Sequence, residues 1–156
     1  MLQMKEAGCE VIFFGVESFY EATLKFLNRT TNETIVEKAF TLCREIGIQT
    51  VAALMIGTPF DNLKSIEYNT ERLKQLRPDK VYISIYNATV GSEEYKRAIM
   101  SGDLDENIDW LNPKRFPGSP YGLPTINPQL NRYQLQIAQK SVYREFYGKG
   151  NEKQYE

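Results

Sequence analysis

Three apolar runs, each preceded by a helix end and a glycine or a proline stop, organise the first half of the chain. They are residues 10–16 (EVIFFGV), 49–56 (QTVAALMI) and 80–86 (KVYISIY). None alternates cleanly between apolar and polar positions, and such continuous runs are what strands covered on both faces show. The first two are announced by "EAG" and "EIG" and carry a glycine at or near their far end, Gly15 and Gly57. Between the runs the period changes from strand to helix. Thr30-x-x-Glu33 has the form of a capping box, followed by Ile35, Val36, Ala39, Phe40, Cys43 and Ile46 on one face. Asp61 is placed to cap the next helix, with Leu63, Ile66, Leu73 and Leu76 as its stripe and Arg77-Pro78 as its stop. Strands and helices alternating at this spacing predict βα units and parallel pairing.

The remaining pattern is helical or irregular. Residues 2–8 (LQMKEAG) have the composition of a helix end, so the chain reads as one cut from something longer. A short helix is expected over 93–100. Residues 112–128 carry five prolines and cannot continue a sheet; they are expected to form an ordered excursion, with Trp110 as a packing anchor. A last helix over about 129–147 would set Tyr133, Ile137, Ala138, Val142 and Phe146 to one side, before a frayed tail. The expected organisation is therefore 1–100 as a βα body, 101–128 as the proline-rich excursion and 129–156 as C-terminal helix and tail.

Composition narrows the chemistry. With 19 basic and 20 acidic side chains in 156 residues, charge gives no argument for nucleic acid or an anionic membrane. No window approaches the length of a membrane span, and no signal peptide is evident at the start. Cys9 and Cys43 lack metal-ligand spacing and read as small core residues of a reducing, cytoplasmic compartment, which makes the Asn-x-Thr sequons chance matches. The chain has no histidine, so chemistry must come from carboxylates, Arg, Lys, Tyr or a bound cofactor.

In parallel α/β folds, ligands bind where strands end. Here those places are "GVES" (15–18), "IGTPFDN" (56–62) and "YNATVGS" (86–92). Each residue also has a plainer reading. Glu17 can cap the helix that begins near Tyr20, Arg29 can decorate a helix end, and Asp61 suits a cap better than a ligand. Thr58-Pro59 shapes a turn, and Tyr82 and Tyr86 are more readily packing residues than catalytic ones.

Taken in order, "aGc..v.fGvES", the Thr-Thr before a helix, "Gi....aa.miG.P" and "GS..Y" resemble the C-terminal half of a radical S-adenosylmethionine (SAM) enzyme barrel. The likeness is greatest to the cobalamin-dependent, Mg-protoporphyrin monomethyl ester cyclase-like branch of iron-sulfur oxidoreductases. "DLDENIDWLNP" and "LNRYQLQIAQKSVYREFY" are similar to the segment that comes after the barrel in that branch. The resemblance implies an α/β fold, a partial (half) TIM-like βα barrel with about three parallel strands plus a C-terminal helical extension. It implies a parent enzyme using SAM and a [4Fe-4S] cluster, and admits cobalamin. Such a parent reduces SAM to a 5′-deoxyadenosyl radical that abstracts a substrate hydrogen, in an oxidoreductase or methyl-transfer reaction. The CxxxCxxC motif that holds the cluster is absent, so the isolated chain is expected to be inactive.

By the same resemblance, Glu17 matches a polar SAM contact at the end of the fourth barrel strand, with Ser18 beside it. Arg29 matches a basic position for the SAM carboxylate. Ala53, Ile56 and Gly57 match the fifth-strand surface facing adenine, while Thr58, Phe60 and Asp61 depart from the usual residues. Asn87 and Ala88 fall where backbone meets adenine after the sixth strand. The implied partners are the missing N-terminal half of the barrel and a small-molecule substrate, without nucleic acid or membrane. The alternative is a non-catalytic α/β ligand-binding or interaction module, self-associating through the unpaired edge of the first strand.

Overall fold

The structure, a computed structural model, describes residues 1–30, 32–105 and 125–148. Most of the proline-rich excursion, Trp110 and the tail lie outside them. The elements run in chain order α1 (Leu2–Glu6), β1 (Val11–Glu17), α2 (Glu21–Phe26), α3 (Glu33–Glu45), β2 (Gln49–Ile56), α4 (Leu63–Leu76), β3 (Lys80–Ile85), α5 (Glu93–Ser101) and α6 (Arg132–Tyr147). The three strands form one open parallel sheet in the order β1-β2-β3. This is the expected α/β class: consecutive βα units laid side by side, as in part of a TIM-like barrel. No described helix is long and apolar enough to cross a membrane.

One face of the sheet carries the core. Val16, Ala52, Leu54, Ile56, Val81 and Ile83 pack beneath α3, α4 and α6, which contribute Phe40, Leu73 and Leu135 among others. The expectation of strands buried on both faces fails, because all three of these helices lie on the same side. On the opposite face Val11 is 49% exposed, Phe13 59% and Tyr82 54%. Phe13 and Tyr82 meet there with ring centroids 5.9 Å apart. Side chains on the inner face of a barrel are covered by those of strands across it, and three strands cannot supply that cover.

Helix starts differ from expectation in an informative way. Asn32 caps α3, accepting from the amides of Thr34 and Ile35. The Thr30 capping box is therefore not formed. Glu33 becomes the first helical residue and pairs with Arg72 at 2.7 Å instead of reaching back to a cap. Asn62, not Asp61, caps α4, in a box closed by Ser65. Leu63, assigned to the α4 stripe, is exposed, as are Ile35 on α3 and both Tyr133 and Ile137 on α6. The buried stripe of α6 is Leu135, Ala138 and Val142. Adjacent helix positions point about 100° apart, so Tyr133 and Ile137, one or two places off the Leu135, Ala138 and Val142 stripe, face solvent.

The outer edge of β3 is closed by side chains. The Val81 N–H donates to the Tyr147 hydroxyl at 2.8 Å and the Ile83 N–H to the Tyr143 hydroxyl at 2.9 Å. Gln139 Nε2 donates to the Ile83 carbonyl at 2.6 Å. Residues 139, 143 and 147 stand four apart on one helix face, about 6 Å per step. Alternate strand residues advance about 6.6 Å, so α6, running against β3, matches its outward-facing peptide groups. The outer edge of β1 has no strand partner among the described residues.

Candidate functional site

The C-terminal ends of the three strands lie along one edge of the sheet, and each is shaped by a local departure from regular structure. At β1 the register with β2 slips between Gly15 and Glu17, leaving Val16 as the bulged residue. Glu17 takes φ 65, and its carboxylate turns back over Gly15. A Cβ at Gly15 would stand 2.8 Å from Glu17 Oε1, so the glycine is the floor on which the carboxylate rests. Asn28, at φ 52, then reverses the chain after α2, with the Arg29 amide donating to the Leu24 carbonyl at 2.9 Å. This brings the Arg29 guanidinium to 3.6 Å from Glu17 Oε1. Arg29 is more than half exposed and Glu17 mostly covered, an open ion pair with donors left over on the solvent side.

The other residues singled out from the sequence divide. Ser18 is wholly buried, its hydroxyl shared with the Asn69 side chain on α4 and the amide of Tyr20. It anchors the strand end rather than presenting a group. Ala53 lies between Gly15 and Tyr82 on the open face. The Ile56 side chain belongs to the core, and its carbonyl accepts from the Tyr86 amide at 2.7 Å. Gly57 has φ 88, and a Cβ there would meet Leu135 Cδ1 at 2.8 Å. Its need for glycine thus comes from backbone conformation and the close approach of α6. Asn87 donates to the Ile85 carbonyl and accepts from Arg132 Nη1, both at 2.8 Å. Ala88 is buried in a small satellite cluster with Ala98, Leu104 and Ile126.

Asp61 turns out to be neither cap nor open ligand. It is fully buried and, among the described residues, has no cation against it; its two oxygens are held by hydroxyls and one amide. Oδ2 accepts from the Thr58 amide at 2.9 Å and the Thr58 hydroxyl at 2.8 Å. Oδ1 accepts from Thr23 at 2.9 Å and Ser65 at 3.1 Å. Asn127 adds a further clasp, donating to the carbonyls of Thr58 and Asp61 while its own oxygen receives the amides of Gln129 and Leu130. Four pieces of chain are thereby locked together behind the strand ends: α2, the β2–α4 loop, α4 and the entry to α6.

Sequence reasoning missed two features of this edge. Phe26, Phe60 and Tyr86 form an aromatic group, with Phe26 at 5.7 Å from Phe60 and 5.5 Å from Tyr86 between centroids. Burial and the nearby Glu94 push the Tyr86 hydroxyl above the usual phenol range. The group assembles from three elements, so no local pattern announces it. The second is Arg132, whose contact with Asn87 spans 45 residues. No group of His, Cys, Asp or Glu among the described residues could hold a metal ion.

No family model matches the chain. It is 32% identical over 88 residues to the heme chaperone HemW of Bacillus subtilis, covering 56% of this chain and 23% of that protein. It is 25% identical over 107 residues to an uncharacterized methyltransferase of Pyrococcus horikoshii, covering 69% of this chain and 23% of the other. The chain thus spans under a quarter of the length of these curated relatives. Among solved structures it resembles coproporphyrinogen III oxidase (HemN) of Escherichia coli, a radical SAM enzyme. The TM-score is 0.60 and the identity 22%, over 91% of this chain and 28% of that one. It also resembles the archaeal Elp3 of Methanocaldococcus infernus, with a TM-score of 0.56 and 24% identity over 67% of this chain and 25% of the other. These likenesses establish the fold as part of a TIM-like barrel.

Proposed function

We propose that this chain is part of a radical SAM enzyme and supplies one side of its SAM cleft. The observation that carries the reading is the Glu17–Arg29 pair at the end of β1, set in place by a bulge, a positive φ and a glycine floor. Strain of that kind is expected where a side chain is held for a ligand rather than for packing. The likeness to HemN supports it, since that protein is a radical SAM enzyme. An amino-acid-like ligand such as the methionine end of SAM carries one ammonium and one carboxylate, and Glu17 with Arg29 offers the complementary pair.

When bound to a reduced cluster in such enzymes, SAM supplies a radical that abstracts hydrogen. In this chain Glu17 would orient the ligand's cationic end, Arg29 would take its carboxylate, and Ala53 with Gly15 would leave room for close approach. Backbone at Gly57 and Asn87 is assigned to the adenine side. The cluster itself does not fit here: two cysteines 34 residues apart cannot supply three thiolates, and no alternative ligand group stands among the described residues. The cluster therefore belongs to the rest of the parent, as does radical initiation, and the isolated chain is expected to be inactive. Motif similarity is what supports placing the parent in the cyclase-like branch, with an oxidoreductase or methyl-transfer reaction and room for cobalamin.

SAM titration of the chain followed by amide and Arg side-chain NMR tests the reading. Weak, saturable shifts at Glu17 and Arg29, reduced in Arg29→Ala, are expected; a titration that moves neither residue refutes it. Anaerobic treatment with iron and sulfide should give no 4Fe-type absorption. A second reading, an interaction module, is favoured by the open β1 edge and the exposed Phe13 and Tyr82 beside it. In the first reading the same edge receives the missing half of the barrel.

A further inference from the structure

Arg132 begins α6 with its guanidinium at the end of β3, and among the described residues no carboxylate balances its charge. It donates through Nη1 to Asn87 Oδ1, a neutral acceptor, at 2.8 Å. Its Nε is buried with no acceptor, and burial alone holds its proton affinity below the usual guanidinium range. No acid of the described residues forms an ion pair with it; the acids of the neighbouring elements are otherwise placed, Glu93 on Lys96 and Glu94 toward Arg97. It also sits in the first turn of a helix, where the dipole disfavours a cation. The sequence around it sharpens the imbalance. Residues 110–144 contain no Asp or Glu, but do contain Lys114, Arg115, Arg132, Lys140 and Arg144. Half-buried cations are normally paired, because desolvation without a counter-charge is costly.

We infer that Arg132, steadied by Asn87, recognises an anionic group, a carboxylate or a phosphate, on a ligand bound at the β3 end of the rim. Asn87 is itself fixed by its bond to the Ile85 carbonyl, so it holds one corner of the guanidinium and sets its plane. The remaining Nη1 and Nη2 donors then suit two oxygens side by side, while the enclosed Nε reports on the field around the guanidinium. The two arginines of the rim differ in this respect. Arg29 already faces Glu17 and is fitted to a ligand carrying both charges, whereas Arg132 asks for net negative charge. The inference deepens the reading above by placing the substrate's anionic group beside the adenine side of the rim, away from the Glu17–Arg29 pair, and it rests on the rim being a ligand site.

The test is a titration of the whole chain with acetate and, separately, methyl phosphate, observed at the Arg132 Nε–H and Asn87 side-chain amide by NMR. Sodium chloride at matched ionic strength is the reference. A saturable shift with either anion and not with chloride is expected, and the arm that responds identifies the headgroup. Arg132→Gln should weaken the response at Asn87 by roughly tenfold or more, with Arg132→Lys intermediate. Shifts that merely follow ionic strength, or that survive Arg132→Gln, overturn the inference; the unsubstituted chain alone decides the first point. SAM shifts at Glu17 and Arg29 without an anion response at Arg132 would sink this inference and leave the radical SAM reading standing. Anion binding at Arg132 without any SAM response would do the reverse.

Discussion

The Asp61 carboxylate is fully buried with, among the described residues, no cation against it, so its stability depends on each donor around it. Replacement by alanine strands the Thr58 amide and releases the hydroxyls of Thr23 and Ser65. We expect Asp61→Ala to lower the unfolding free energy by about 3 kcal/mol, measured by urea denaturation. A loss below about 1 kcal/mol would mean that water replaces the carboxylate at little cost. The two glycines at strand ends make a sharper pair. Gly15 has an ordinary φ and its hypothetical Cβ meets only the movable end of Glu17, so Gly15→Ala should cost under about 1 kcal/mol while displacing the carboxylate and weakening the SAM binding proposed above. Gly57 combines φ 88 with a collision against Leu135, and Gly57→Ala should cost about 3 kcal/mol. Part of that should return in Gly57→Ala with Leu135→Ala, read as a favourable coupling in a double-mutant cycle. Sequence showed that both positions were glycine; it could not show that one leaves room for the Glu17 carboxylate and the other for a helix. Motif order singled out Glu17 and Arg29 one by one, but not the ion pair between them, and Arg132 was not legible at all, because nothing local links residues 87 and 132.

The elements show where pattern suffices and where geometry takes over. The three strands and the helices between them come from apolar runs, glycines and the Arg77-Pro78 stop, since those signals act within a few residues. Arg77 does end α4 in the left-handed region, φ 54. Helix starts were less legible, because Thr30, Asn32, Asp61 and Asn62 are all competent caps and tertiary contacts choose among them. Asp61 is withdrawn from capping by the Thr23 and Thr58 hydroxyls. The edge closure by α6 left no trace in the pattern, which sets Tyr133, Ile137, Ala138, Val142 and Phe146 to one side of that helix and singles out neither Tyr143 nor Tyr147. It predicts that Tyr143→Phe and Tyr147→Phe each cost about 1–2 kcal/mol. The effect should be local in hydrogen exchange, with the Ile83 amide faster in the first variant and the Val81 amide in the second. Uniform acceleration across the sheet would argue against the ladder.

At the scale of the whole molecule, the sheet is finished on one face and unfinished on the other. Phe13, Val11 and Tyr82 form an exposed apolar strip whose continuation is the unpaired side of β1. In concentrated solution the chain should self-associate, and Phe13→Lys should shift it toward monomer in sedimentation velocity, since a charge on that strip opposes burial. A strict monomer at high concentration would count against an adhesive strip. The strip also explains why the apolar runs misled: their composition was right for two-sided cover, but the cover on the inner side is not made by these three strands.

The Gln139, Tyr143 and Tyr147 ladder gives the sheet a direction of growth. Because α6 occupies the peptide groups that a fourth strand would use at β3, any added strand must join at β1. Among the described residues the sheet is in effect a terminator, open at its first strand and stopped at its last. A split-protein experiment that supplies complementary βα units should therefore succeed only when the new strand is delivered to the β1 side. Removing α6 would turn a one-ended module into one able to polymerise from both edges.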